Sequence, residues 1–437
     1  MTNSTNSEAA CLLESGKLYK SRVGLASPAD GSLTFAGFKK GAFSLYFGDS
    51  PIYHFDLEGR WQRVFLGESH FLKGLDTTIH RIERIREGAN LVLRRSTLSF
   101  AEAADLDARV REMALDLAQS IASAKYGRKE PSAGISPLAT SDLLDFLDRI
   151  AAWDADAWFS HRERYTGAYG PLPFIPPDSQ NPVVVQATLG HPDGIGFGGA
   201  PVAEHYVRSV SEFETHCREV GRLLGRRLAQ CRSVFLAGAD VLRQAPEIVI
   251  GYLNTIGKVF PFSEPNEADP SSPTLDGVHT FLDQFQGLET RSDFWTQLKA
   301  LGLKRVSLGV ESGDSSIRER FGKRWSDGDL RSLVSAIKSA EIGISVLTLV
   351  GAGGIASAEP HEVETARLIK SLGLGSGDLV FLLDANEVSD SASESETQVV
   401  LTGEALAAQL ARLKDALKPD TKGMWKVLPY SLEKQWA

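Results

Sequence analysis

Residues 182–200 read P-V-V-V-Q-A-T-L-G-H-P-D-G-I-G-F-G-G-A, and this stretch decides the fold. Val183, Val184 and Val185 form an unbroken β-branched run, the pattern of a strand buried on both faces. The run empties into a loop with glycines at 190, 194, 196, 198 and 199. Downstream, the order strand, loop, helix repeats. Loops at the carboxyl ends of such strands are where α/β folds place their chemistry.

The first repeat continues through Ser209-Val-Ser-Glu212, a capping box that opens a helix with Phe213, Cys217, Val220 and Leu224 on one face. A second strand is expected over 233–237, ending at Gly238 and Asp240, and a third over 278–285. The helix that follows begins at Ser292 and stops at Gly302. A fourth strand is expected over 305–313, a fifth over 344–350 running into Gly351-Ala-Gly-Gly354, and a sixth over 378–383. Units of about 30–40 residues make a parallel array. Right-handed crossovers leave an open barrel or a doubly wound sheet, and periodicity does not separate the two. Residues 261–276 read as a polar Pro/Ser insertion, and 384–398 as an acidic, Ser-rich loop. The last helix carries Leu406, Leu410, Leu413 and Leu417 ahead of a tail containing Val427-Leu-Pro-Tyr430.

Upstream of Pro182 the pattern changes. Segments 42–47, 52–57 and 60–66 are β-like, with turns expected at Gly48-Asp49 and Glu58-Gly59. Their aromatics, among them Phe43, Tyr53, Phe55 and Trp61, read as core. Two helices follow, over 101–126 and 141–153, the second behind a Thr140/Ser141 cap. The Pro-rich segment 171–182 reads as an extended linker, because proline fixes φ and gives no ladder donor.

At 437 residues with a net charge of -9, the chain is long enough for two or three domains and too acidic for a general nucleic-acid binder. No apolar run approaches the ~18 residues of a membrane span, and the polar start lacks a signal-peptide plan, so a cytoplasmic location is expected. Three cysteines, Cys11, Cys217 and Cys231, stand in no C-x-x-C pair and read as free thiols.

The loop after the first strand resembles that of radical S-adenosylmethionine (SAM) enzymes, whose pattern is C-x-x-x-C-x-[aromatic]-C. Here the cysteine positions fall on His191, Ile195 and Gly198, with Phe197 in the aromatic slot, Gly190 before it and the Pro-rich 170–177 as lead-in. The stretch L-K-A-L-G-L-K-R-V-S-L-G-V-E-S-G (298–313), with Phe321-Gly322-Lys323 and Ile342-Gly343-Ile344, is similar to the branch that includes coproporphyrinogen dehydrogenase-like and elongator-like proteins. The resemblance implies a six-unit partial (β/α) TIM-type barrel over 170–390. Around it are expected a disordered tail (1–16), a β-rich N-terminal domain (17–100), a helical connector (101–169), and a C-terminal helix and tail (391–437). It also implies SAM contacts from Gly238 and Asp240 after strand two, Glu311 and Ser312 on strand four, and Gly351 and Gly353 after strand five.

The motif's frame is present and its ligands are absent. A [4Fe-4S] cluster needs three soft anionic ligands, and Ile195 and Gly198 carry no donor. One imidazole, that of His191, does not replace three thiolates, and it reads first as a hydrogen-bonding turn residue. The loop glycines could make an anion nest, but no helix starts close by to support one. The expectation is a binding or regulatory pseudoenzyme without the cluster, with SAM binding left open. The alternatives are an enzyme doing non-radical chemistry on SAM, an active radical enzyme with unusual ligands, or a scaffold whose contacts lie in the N-terminal unit. Substrate and protein partner stay unassigned, with no nucleic acid or membrane expected.

Overall fold

The structure is a computed structural model. It describes residues 21–431 apart from 28–31, 40, 88–89, 124, 130, 132–134, 173, 180, 191–204, 239, 263–274, 287, 289–290, 390–400, 420 and 422. The 191–200 loop, with His191, Ile195, Phe197 and Gly198, lies outside the described residues, as does Cys11.

The N-terminal strands are β1 (Ser21–Ala26), β2 (Leu33–Lys39), β3 (Ala42–Phe47), β4 (Ile52–Asp56), β5 (Trp61–Leu66), β6 (Ser69–Lys73), β7 (Ile79–Glu87) and β8 (Asn90–Thr97). Each pairs antiparallel with the next, as short turns require. The turns fall at Gly48 and Gly59, both left-handed. Short strands β9 (Gly127–Lys129) and β10 (Ser136–Pro137) extend the sheet beside β1. Helices α1 (Phe100–Ala122), α2 (Thr140–Ala151) and α3 (Ala155–Ala168) cover one face. Phe38, Phe43 and Phe55 meet Phe146 of α2, and Leu106 and Val110 of α1, in one buried cluster. Ser99 and Glu102 form a capping box at α1. Ala139 stands at the N-cap of α2 without a side-chain bond, so the expected Thr140/Ser141 cap is one residue out.

The second sheet holds seven parallel strands: β11 (Val183–Gln186), β14 (Val234–Ala237), β15 (Val278–Leu282), β16 (Leu303–Glu311), β17 (Gly343–Val350), β18 (Leu379–Asp384) and β19 (Lys426–Tyr430). Strands β12 (Thr188–Leu189) and β13 (Tyr206–Val207) make a small ladder apart from it. The six expected strands are all present. The seventh, β19, was read as tail: exposed Leu428 and Pro429 interrupt any buried pattern, and Pro429 is tolerated because β19 is an edge. The strand order follows the chain without reversal, whereas a doubly wound sheet reverses at a switch point.

Helices α4 (Val210–Leu224), α5 (Pro246–Val259), α6 (Ser292–Ala300), α8 (Asp327–Ser339), α9 (Ala358–Lys370) and α11 (Gly403–Ala416) alternate with these strands. The short α7 (Ser315–Arg320) follows β16, and α10 (Ala385–Ser389) follows β18. Val306, Leu308 and Val310 of β16 share a buried core with Leu298 of α6 and Leu330, Val334 and Ile337 of α8. By strand alternation Ser307 faces the other way. There the supposed linker enters: Ser307 and Ser345 donate to the Asp178 carboxylate, the latter at 2.6 Å. Phe174 lies 5.7 Å from Phe281. The Pro-rich segment is thus packing for the inner face, a role its extended pattern conceals.

Arg60, buried, ties the halves together. It bonds Asp56 at 2.7 Å and donates to the Leu223 and Leu224 carbonyls, two exposed-lone-pair positions at the end of α4. Arg60→Met removes the cation hydrogen-bonded to buried Asp56, and we expect a loss of about 3 kcal/mol in urea unfolding.

Burial also pulls His54, His161 and His216 down to about 4, and the Gln186 N–H donates to His216 Nε2 at 2.8 Å, which requires a neutral ring there. The unfolded chain binds protons near 6.5 that the folded chain refuses. Stability is therefore complete above about pH 6.5 and falls as pH drops towards 4. Thermal melts across that window should show a progressive fall in Tm.

Candidate functional site

The carboxyl ends of β14 to β18 bring the expected site residues to one rim. Two of them sit in the left-handed region without being glycine, Asp240 at φ 50° and Glu311 at φ 54°. Such backbone costs on the order of 1–3 kcal/mol and persists only where surroundings hold it. At Glu311 the register against β17 also shifts, between Gly309 and Glu311.

A buried lysine holds this corner. The Lys323 ammonium lies 2.8 Å from the Glu311 carboxylate and bonds Asp283 as well. Burial opposes its charge, but Asp283 and Glu311 together outweigh that and raise its pKa above the ordinary lysine value. Asp240 accepts the backbone N–H groups of Asp283 and Gln284, both at 3.3 Å, and pairs with Arg243 at 3.1 Å. Strand β15 therefore ends at Leu282, three residues short of the expected 285, because Asp283 and Gln284 turn into this network.

Ser312 points elsewhere. Its Oγ lies 2.7 Å from His361 Nδ1, and His361 Nε2 lies 2.8 Å from the Leu349 carbonyl. Burial lowers the His361 pKa, so the ring is neutral, with Nε2 donating to the carbonyl and Nδ1 accepting the serine proton. Both residues have no exposed surface, so this serine–histidine pair fastens β16 to α9 and is closed to substrate. Gly313 serves the same contact: a Cβ there would lie 2.2 Å from backbone atoms of Glu364, and its N–H donates to Thr365 Oγ1 at 2.8 Å.

The glycines of the rim are also spoken for. Gly238, at φ 132°, presses on Thr188, whose Oγ1 would lie 2.2 Å from any Cβ. The Gly351 N–H donates to Gln409 at 2.6 Å. Gly353 faces Ile317 and Ser357. Ile317 of α7 and Phe321 just after it join Leu347, Leu349, Phe381 and Leu383 in a buried cluster on the inner face. The six expected residues thus line one rim, and each described contact they make is to the chain itself. The sequence reading quoted Lys323 with Phe321 and Gly322 but gave it no role, and it missed Asp283 and His361. A lysine twelve residues beyond a strand-end carboxylate was a faint signal for the first.

The cluster's donor set does not fit. Cys217 is fully buried on α4 beside Phe213 and Val220, and burial pushes its thiol up to about 12. Cys231 precedes β14, at the opposite end of the sheet from the loop that follows β11, and burial pushes it up to about 11. Both are protonated at neutral pH, and a cluster binds thiolate. Among the described residues no group of three or more His, Cys, Asp or Glu could hold a metal ion.

No protein-family model and no curated protein matches the chain. Solved structures do. The radical SAM methyltransferase TsrM of Kitasatospora setae, with cobalamin and a [4Fe-4S] cluster bound, aligns over 52% of this chain and 35% of its own, at 14% identity and TM-score 0.31. Coproporphyrinogen III oxidase (HemN) of Escherichia coli, a radical SAM enzyme, aligns over 58% and 56% at 9% identity and TM-score 0.36. The archaeal Elp3 of Methanocaldococcus infernus aligns over 56% of each chain at 12% identity and TM-score 0.34. The chain thus spans about a third to just over half of these proteins. No helix among the described residues is long and apolar enough to cross a membrane.

Lys323→Met should strand two carboxylates in the interior. We expect a loss of about 3–5 kcal/mol by chemical denaturation, and a smaller loss when Glu311→Gln and Lys323→Met are combined, since a pair removed together leaves fewer uncompensated charges.

Proposed function

We propose that this chain is a radical SAM-like partial barrel, over residues 170–390, that has lost its [4Fe-4S] cluster and its radical chemistry and works as a binding or regulatory pseudoenzyme in the cytoplasm. On this reading residues 17–169 are an accessory N-terminal unit. One observation carries it: among the described residues, the chain's own side chains pack against the inner face and around Glu311. Ile317 and Phe321 supply apolar bulk, and the Lys323 ammonium takes the carboxylates of Asp283 and Glu311. In the resemblance Glu311 helps hold SAM, which is itself cationic. Here an internal cation sits on that carboxylate.

The reading is also supported by the residues at the motif positions. His191, Ile195 and Gly198 offer at most one ligand where the chemistry needs three thiolates.

Protein prepared and reconstituted without oxygen should contain neither iron nor acid-labile sulfide, and titration calorimetry with SAM should give no saturable heat. A stoichiometric four-iron cluster would return the chain to radical catalysis. Saturable SAM binding without iron would instead favour non-radical chemistry on SAM. Either result overturns the proposal.

A further inference from the structure

A cavity of about 600 Å³ opens towards the amino ends of β15, β16 and β18 and beside the edge strand β19. That volume is within the range of small-molecule sites. Its apolar wall is Leu379, Phe381, Leu428 and Tyr430, the last packed edge-on against Phe381 at 6.2 Å. Leu428 is 38% exposed, a large apolar side chain with no core to join.

The opposite wall is polar and arranged in two layers, each with one carboxylate and one basic group. Deep in the cavity Asp178, its side chain 4% exposed, lies 3.4 Å from Arg305 Nε. Arg305 is fixed in turn by the Ile344 carbonyl at 3.0 Å and the Gly377 carbonyl at 2.9 Å. At the mouth stand Asp276 and Lys304, both exposed. His279 lies between the layers, its Nδ1 3.2 Å from Ser179 Oγ; burial lowers its pKa, so it is neutral. Among the described residues its Nε2 has no hydrogen-bond partner.

We propose that this cavity binds a small zwitterion of the amino-acid type with an apolar side chain. Asp178 and Arg305 are paired with each other, which leaves one carboxylate, Asp276, and one ammonium, Lys304, exposed at the mouth. A simple anion would meet the Asp276 carboxylate and a simple cation the Lys304 ammonium. A ligand carrying an ammonium and a carboxylate a few ångströms apart satisfies both signs, and its side chain covers Leu379, Leu428 and Tyr430. A purely structural role explains the Asp178–Arg305 pair, which ties the Pro-rich segment to β16. It does not explain the void or the exposed Leu428. The proposal is independent of the cluster and of SAM, since none of these residues is among those the resemblance assigns to either.

The test is titration calorimetry of the full chain with leucine, methionine, phenylalanine and tryptophan, beside 3-phenylpropionate, which lacks the amine, and phenethylamine, which lacks the carboxylate. At least one amino acid should bind saturably, and each truncated phenylalanine analogue should bind about tenfold or more weakly than phenylalanine if phenylalanine binds, or not at all. Lys304→Ala, an exposed substitution that should leave the fold intact, should weaken the amino acid by about tenfold. No saturable binding of any of the four up to about 10 mM overturns the proposal. So does equal binding of parent and analogues, or binding that Lys304→Ala leaves unchanged.

Discussion

A buried ammonium must be neutralised, and much of the carboxyl rim follows from that constraint. Lys323 has no exposed charge surface, and an isolated ion there would cost several kcal/mol. It is tolerated because Asp283 and Glu311 converge on it from the ends of two neighbouring strands. Their convergence ends β15 at Leu282, fixes the left-handed Glu311, and draws the loop after α7 over the inner face. Ile317 of α7 and Phe321 just after it pack against the inner face beside this network.

The two ends of the inner face are thereby made unequal. At the carboxyl end, polar groups are spent on one another: Lys323 on its carboxylates, Ser312 on His361, the Gly351 N–H on Gln409. Towards the amino end the Pro-rich segment contributes Asp178 but does not fill the space beyond it. In parallel α/β folds ligands usually meet the carboxyl ends of strands, where loops are free to vary. Here a cavity among the described residues lies towards the amino ends of three strands.

The N-terminal sheet is coupled to this arrangement through Arg60, which uses one guanidinium for two tasks. It satisfies Asp56 within its own hairpin and the terminal carbonyls of α4 across the boundary. Since α4 packs against β11, the strand that leads into the 191–200 loop, the hairpin β4–β5 is mechanically connected to the first unit of the parallel sheet.

The sequence by itself determined the parallel array. Six strands were legible because each is a short apolar run buried on both faces, and hydrophobic burial needs no partner's identity to leave that mark. The capping box at Ser209 was legible for a similar reason, being local. What only the tertiary structure decided was how polar groups far apart in the chain share their hydrogen bonds. Glu311, Ser312 and the rim glycines were found from a resemblance, yet their contacts with Lys323, His361, Gln409 and Thr188 depend on which strand ends lie together. The seventh strand and the inward course of the Pro-rich segment were hidden for the opposite reason. Neither buries enough apolar side chain in register to show a period, and each is held in place by the six strands already assembled.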